Sequence, residues 1–194
     1  ASFAVTGSPT NAGESTNSYT ITWNNVKETN NKIEATLGTL KITTAPAEDL
    51  KLEFEGKTEQ YIAKNQSLDA ATAIDGAVIE YSVDGENWTA TMPSYKDVKE
   101  GGYKVIARAV KDGYETATKE AVLTITPAPV TVTTKSARKV YDGKALTAGG
   151  QIEGVLGDDK VEFSVTGSQT EAGSSMNSYD LKWTGATSTN YKVS

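Results

Sequence analysis

The sequence contains neither cysteine nor histidine. The first absence excludes disulfides and thiol nucleophiles. The second excludes every mechanism with an imidazole base, and together they exclude Cys/His zinc sites. Large apolar side chains are scarce too, with three Trp, three Phe and two Met. No apolar run approaches the ~18 residues of a membrane-spanning helix, so no membrane insertion is expected. Positive charge is in deficit: 19 Lys and Arg face 25 Asp and Glu, a net charge of −6. Nucleic acid, which asks for a basic face, is not an expected partner. Neither end reads as a signal peptide or an anchor, so any attachment is expected from regions outside these residues. With glycine counted and tyrosine left out, the apolar share of the 194 residues is about 41%, below the ~45–50% of an average globular chain. The cores are expected to be small, in one or two domains on the usual size prior.

What the chain does have is a copy of itself. Phe3-Ala-Val-Thr-Gly-Ser-Pro-Thr returns as Phe163-Ser-Val-Thr-Gly-Ser-Gln-Thr. Ala12-Gly13 returns as Ala172-Gly173, and Asn17-Ser-Tyr-Thr-Ile-Thr-Trp23 as Asn177-Ser-Tyr-Asp-Leu-Lys-Trp183. The offset is 160 throughout, and 16 of the 34 positions in 1–34 are identical to their counterparts in 161–194. Chance at ordinary composition gives about two. Such a period is too long for a solenoid and fits two small domains used alternately. The counterpart of Ala35–Ala45 does not follow Ser194, and that of 127–160 does not precede Ala1. The reading is a window on a longer array, or a subunit that completes its half-domains elsewhere.

Strand periodicity runs through every piece. Tyr19, Ile21 and Trp23 share one face, with Thr20 and Thr22 on the other. The second copy keeps Tyr179, Leu181 and Trp183 but changes the other face to Asp180 and Lys182. The face that repetition preserves is expected to be buried. Leu40 and Ile42 continue the pattern. Leu50, Leu52 and Phe54 form a stripe, as do Ala77, Ile79, Tyr81 and Val83, then Tyr103, Val105, Ala107 and Ala109, then Ala121, Leu123 and Ile125. Asp84-Gly85 signals a tight hairpin before Trp88. No segment keeps a helical period, although 66–75 is compatible with one short turn. Pro127-Ala-Pro129 and Ala45-Pro46-Ala47 mark domain junctions. The boundaries are therefore 1–45, 46–126 and 127–194. The fold class is all-β, as tandem small Ig-like β-sandwiches in an elongated array, with a seven-strand sandwich over 46–126.

Val140-Tyr-Asp-Gly143, Gly154-Val-Leu-Gly-Asp-Asp159, Val165-Thr-Gly167, Ala172-Gly173 before Asn177-Ser-Tyr179, and Asn190-Tyr-Lys192 stand in an order that resembles the YDG/MBG domain family. Gly38-Thr-Leu-Lys-Ile-Thr-Thr-Ala-Pro46 resembles that family's closing strand. The middle segment, with Tyr81-Ser-Val-Asp-Gly-Glu-Asn-Trp88 and Ala109-Val-Lys-Asp-Gly-Tyr114, resembles bacterial Ig-like repeats. The resemblance implies a large, extracellular, multidomain adhesin on a bacterial cell surface. It implies no catalytic residue and no cofactor.

Each candidate site has a plainer role beside it. Trp23 and Trp183 offer faces on which sugars stack, but each lies on a stripe with Tyr19 or Tyr179, and core packing is preferred. The expected structural core thus includes Tyr19, Trp23, Tyr81, Tyr103, Tyr179 and Trp183. Trp88 follows a hairpin signal. It is read first as a sandwich anchor and second, with Tyr95, as a ligand contact for host glycans or mucin. Tyr61, Tyr81, Tyr103 and Tyr114 support that second reading only by association. Asp158-Asp159, with Asp142, suggests a cation, but adjacent carboxylates point to opposite sides of an extended chain, and a solvated turn is preferred. Asp84-Gly-Glu86 is likewise a turn, and no metal is expected. Paired carboxylates for glycoside hydrolysis lie in turns with no pocket to hold a sugar, so no enzyme is expected.

Three functions follow: a non-catalytic stalk, a glycan or mucin-binding module, and a subunit that assembles head to tail by strand complementation. The stalk is preferred, as a monomer whose expected partners are the neighbouring domains of its own array and, through weak contacts, host glycans or mucin.

Overall fold

The computed structural model describes all residues, 1–194. The protein is all-β, with three short 3-10 turns as its only helical pieces. No helix is long and apolar enough to cross a membrane. The chain divides into two compact units. One holds Ala1–Glu53, Ala71–Ile79 and Arg108–Thr118; the other holds Phe54–Ala70, Glu80–Ala107 and Lys119–Ser194.

The N-terminal segment makes two ribbons. Strand β1 (Ser2–Val5) is antiparallel to β3 (Tyr19–Thr22), with Phe3 opposite Ile21 and Val5 opposite Tyr19. Strand β2 (Gly13–Thr16) is antiparallel to β4 (Thr39–Ile42). The alternation of Tyr19, Ile21 and Trp23 is real, since these three are half-buried while Thr20 and Thr22 are exposed. Yet no residue from Ala1 to Asp49 is fully buried. Phe3 and Val5 stand 66% and 58% exposed. Leu40 is half-buried and Ile42 exposed, so the expected inward face of β4 is only partly covered. A two-stranded ribbon with one apolar face needs a second layer, and here residues 33–38 face it across a cavity rather than as a strand.

The middle segment carries eight strands rather than seven. These are β5 (Glu53–Phe54), β6 (Lys57–Gln60), β7 (Gln66–Ser67), β8 (Ala70–Ala71), β9 (Val78–Ser82), β10 (Ser94–Tyr95), β11 (Tyr103–Val110) and β12 (Ala117–Thr126). The main sheet has the order β6-β12-β11-β9, with β6 and β12 parallel. Two-residue ribbons join β5 to β8 and β7 to β10. The short turn expected over 66–75 is therefore strand at both 66–67 and 70–71, because each pair finds a cross-strand partner. Val105, Ala107 and Ala109 of β11 are buried, as are Ala121, Leu123 and Ile125 of β12, so one face of the sheet is core. Leu50, Leu52 and Phe54 are buried as well. Each large aliphatic side chain taken from water contributes ~1.5–3 kcal/mol. Tyr81 bridges to Thr89 around the Asp84-Gly85 turn. There the Asp84 carboxylate accepts the Ser82 hydroxyl, the Glu86 and Asn87 N–H groups and the Asn87 amide. Those bonds hold its carboxyl well below the usual range.

The C-terminal segment begins one residue after β12 ends. Strand β13 (Ala128–Thr134) pairs antiparallel with β15 (Gly150–Glu153) and parallel with β19 (Tyr191–Val193). Strand β14 (Leu146–Thr147) pairs with β17 (Ser168–Gln169). Strand β16 (Val161–Val165) pairs with β18 (Tyr179–Trp183). Strand β15 crosses the Phe163/Val165 face with a glycine at the crossing. A Cβ on Gly150 would lie 2.9 Å from Val165 Cγ2 and 3.0 Å from the Phe163 ring, closer than a side chain fits.

Candidate functional site: a buried joint beside the C-terminal segment

Strand β12 runs into β13 through Pro127 alone, and the two strands bury Ile125, Ala128 and Val130 in succession. Beside that crossover the second unit buries its polar groups. Tyr61 follows β6, the parallel neighbour of β12, and its N–H donates to the Thr126 carbonyl at 2.8 Å. Tyr191 opens β19 opposite Ala128 of β13. Asp159 sits after a turn at Gly157, whose φ of +56° lies in the left-handed region. A Cβ on Gly157 would lie 3.0 Å from that of Ala63, so the turn packs against the middle segment.

The three side chains converge. The hydroxyls of Tyr61 and Tyr191 both donate to Asp159 Oδ2, each at 2.6 Å. Lys96 Nζ reaches Oδ1 at 3.4 Å. Tyr191 Oη in turn accepts the Leu156 N–H at 3.0 Å. The Asp159 side chain is 2% exposed. Burial alone would raise its carboxyl, but hydrogen bonds from Tyr191, Tyr61 and Lys96 hold it below the ordinary carboxylate range. The phenols respond in the opposite sense. Burial first, and donation to Asp159 second, push Tyr61 and Tyr191 well above the ordinary value of 10. A carboxylate met by two short O–H donors and one ammonium is a satisfied buried charge.

A second clasp lies alongside. Asn190, fully buried, donates its amide to Asp97 Oδ1 at 2.7 Å and accepts the Val98 N–H on its Oδ1 at 2.8 Å. Apolar contact completes the joint. The Tyr61 and Tyr191 rings meet edge to face at 5.4 Å, and the Trp183 ring stacks on Tyr191 at 4.5 Å and 9°. The segment Lys96–Val98 is itself held from behind. Tyr103 donates to the Asp97 carbonyl at 2.9 Å and stacks on Tyr95 at 3.9 Å, with Lys99 5.1 Å above the Tyr103 ring.

This joint corrects the reading of Asp158-Asp159 as a solvated turn. Asp158 is exposed, but Asp159 is among the three buried polar residues of the chain. The opposite pointing of adjacent carboxylates sends one to water and the other inward. No group of three or more Asp or Glu stands where a metal could be held. Asp142 pairs with Lys139 at the surface.

The other singled-out residues lie as follows. Trp23, Trp183, Tyr81 and Tyr103 are half-buried, as is Tyr19, while Tyr179 is exposed at the open end of β18. The best-buried aromatics are Tyr61 and Tyr191. Tyr61 stands outside every alternating stripe, and only its position after β6 could have drawn notice. Trp88 is half-buried, and one face of Tyr95 is covered by Tyr103. Neither lines either of two cavities of about 300 Å³. One of these lies in the N-terminal segment against Phe3 and Val5, the other in the C-terminal segment against Leu146 and Met176.

The YDG domain family matches residues 126–194, about a third of the chain. No curated protein and no solved structure is significantly similar to this sequence. Residues 126–194 are thus a YDG domain, and the joint is the place where the middle segment grips it.

Proposed function

We propose that this chain is a non-catalytic structural repeat region, a stalk of alternating small β-sandwich domains from an extracellular bacterial surface adhesin. The observation that carries the reading is the joint. A one-residue connection, a buried carboxylate shared by tyrosines from two segments and a buried asparagine clasp are what a spacer needs to transmit direction from one domain to the next. The repeat at 160 residues and the absence of thiol and imidazole support the same reading. The test is small-angle scattering of a chain carrying two full periods. A maximum dimension close to double that of one period supports a stalk; a collapsed profile contradicts it.

Head-to-tail assembly is a second reading with one observation behind it. Residues 173–176 form no strand, whereas their counterparts Gly13–Thr16 pair as β2 with β4. Met176 of that unpaired stretch is exposed. Light scattering at high concentration separates the readings, since strand exchange between copies predicts a mass that grows with concentration.

A further inference from the structure

Without cysteine the chain has no disulfide with which oxidation could tie its strands together. It has nine tyrosines, and two pairs of their rings are in contact. The pairs differ in what decides phenol chemistry. Tyr61 and Tyr191 meet edge to face at 77°, both are buried, and both hydroxyl protons are committed to Asp159. Tyr95 and Tyr103 lie ring on ring, with centroids 3.9 Å apart and planes within 12°. Both are half-buried, so a small oxidant in solution reaches them. At that separation carbons of one ring lie in van der Waals contact with carbons of the other. The centroids of two directly bonded phenol rings stand only slightly further apart. A bond between them therefore asks the rings to tilt rather than to travel. Tyr95 ends β10 and Tyr103 opens β11. Between them lies Lys96–Val98, whose Lys96 reaches Asp159 and whose Asp97 and Val98 hold Asn190.

We infer that Tyr95 and Tyr103 are a site of oxidative cross-linking, joined by a dityrosine bond between the end of β10 and the start of β11. Each phenol gives up one electron and its hydroxyl proton. The two phenoxyl radicals couple through the ring carbons next to their C–O carbons, and one C–C bond forms. Each coupled carbon then passes its hydrogen to its own ring's oxygen, which restores both phenols. The two electrons go to a peroxide, whose O–O bond breaks. With hydrogen peroxide, the two released protons complete two waters. The new bond closes a short ring around Lys96, Asp97 and Val98. It is a staple for the segment that holds Asp159 and Asn190, in the role a disulfide has elsewhere. The inference stands apart from the stalk reading, because the rings are stacked whatever the chain carries.

The test treats the dilute full chain with persulfate, itself a peroxide, and light-excited ruthenium tris-bipyridyl as the one-electron catalyst. The monomer is isolated and digested with trypsin. The expected product joins residues 65–96 to residues 100–104, less the mass of two hydrogens, and fragmentation places the bond between Tyr95 and Tyr103. Tyr95→Phe and Tyr103→Phe keep both rings, and each should abolish the product. Unfolding in urea should abolish it too, since the spacing in sequence persists there and the stack does not. In the linked chain, exchange of the Val98 amide that donates to Asn190 should slow by about tenfold. A folded monomer that yields no joined peptide overturns the inference. So does a bond that forms equally well in urea, or one that falls on other tyrosines. Unchanged Val98 exchange in the linked chain overturns its role as a staple.

Discussion

Truncating Asp159 to alanine removes the acceptor on which two buried tyrosines converge. Each O–H···O⁻ bond at 2.6 Å is of the charge-assisted class, worth ~1.5–3 kcal/mol. After truncation Tyr191 Oη still accepts the Leu156 N–H, but neither phenolic proton has a partner. Breaking a buried ionic group by removing one side costs ~3–5 kcal/mol. Both routes lead to about 4 kcal/mol, or about 8–16 °C in Tm for a chain of this size. Asp159→Asn keeps an oxygen for the phenols but loses the charge, and about half that shift is expected. The assay is thermal unfolding followed by near-UV circular dichroism, where the stacked Trp183 and Tyr191 report on the joint directly. The pH dependence supplies the sign. The native carboxyl lies below its ordinary value of 3.8, so its contribution is complete above that pH and is lost as pH falls below it through the depressed native value. Asp159→Asn should lack this acid-labile part. A shift under about 2 °C for Asp159→Ala would refute the account of the joint.

Four further outcomes follow from the same geometry. Tyr61 and Tyr191 favour the neutral phenol in the native state, so absorbance titration should find two tyrosines that ionise only above the rest; Tyr61→Phe and Tyr191→Phe should each remove one. Asn190→Asp places a carboxylate where an amide donates to Asp97 at 2.7 Å, so this variant should gain stability on mild acidification where the wild type does not, as read by denaturant midpoints at pH 7 and pH 5. Gly157→Val meets both a left-handed φ and the Ala63 methyl, and should lower stability by about 2 kcal/mol or more in chemical denaturation. A spacer carries no glycan platform, so the chain and its Trp88→Ala variant should both fail to bind immobilised mucin; binding that Trp88→Ala abolishes would favour the module reading instead.

Three stripes of the middle segment were legible because burial there follows the period of two; the Ala77/Ile79/Tyr81/Val83 stripe was not, since Val83 is 58% exposed and the neighbouring Ser82 is buried. Val105, Ala107 and Ala109, Ala121, Leu123 and Ile125, and Leu50, Leu52 and Phe54 are all buried. The same rule misled at the N-terminus. Tyr19 and Ile21 alternate as core residues do, but alternation says which face is apolar and not whether a second sheet covers it. The joint was invisible for a different reason. Asp159 meets Tyr61 from 98 residues away and Tyr191 from 32, and neither separation leaves a local pattern. An isolated Asp-Asp pair carries a strong prior for solvent, and only tertiary contact overrides it. One trace was available in the repeat itself: Tyr191 replaces Asn31 in an otherwise matching Thr-Asn-Lys frame. A position where two copies differ by a large aromatic is where their surroundings differ.

On the stalk proposal the joint makes Lys119–Thr126 and the YDG domain, both within one compact unit, turn as one body. The natural absence of cysteine makes spin labelling clean, so Lys119→Cys on β12 and Ser164→Cys on β16 provide two exposed strand sites, one in each segment. Pulsed dipolar spectroscopy then reads the distance between them. The account predicts a single narrow distribution in the otherwise wild-type chain, broadened by Asp159→Ala. A broad distribution before any change at Asp159 would contradict it.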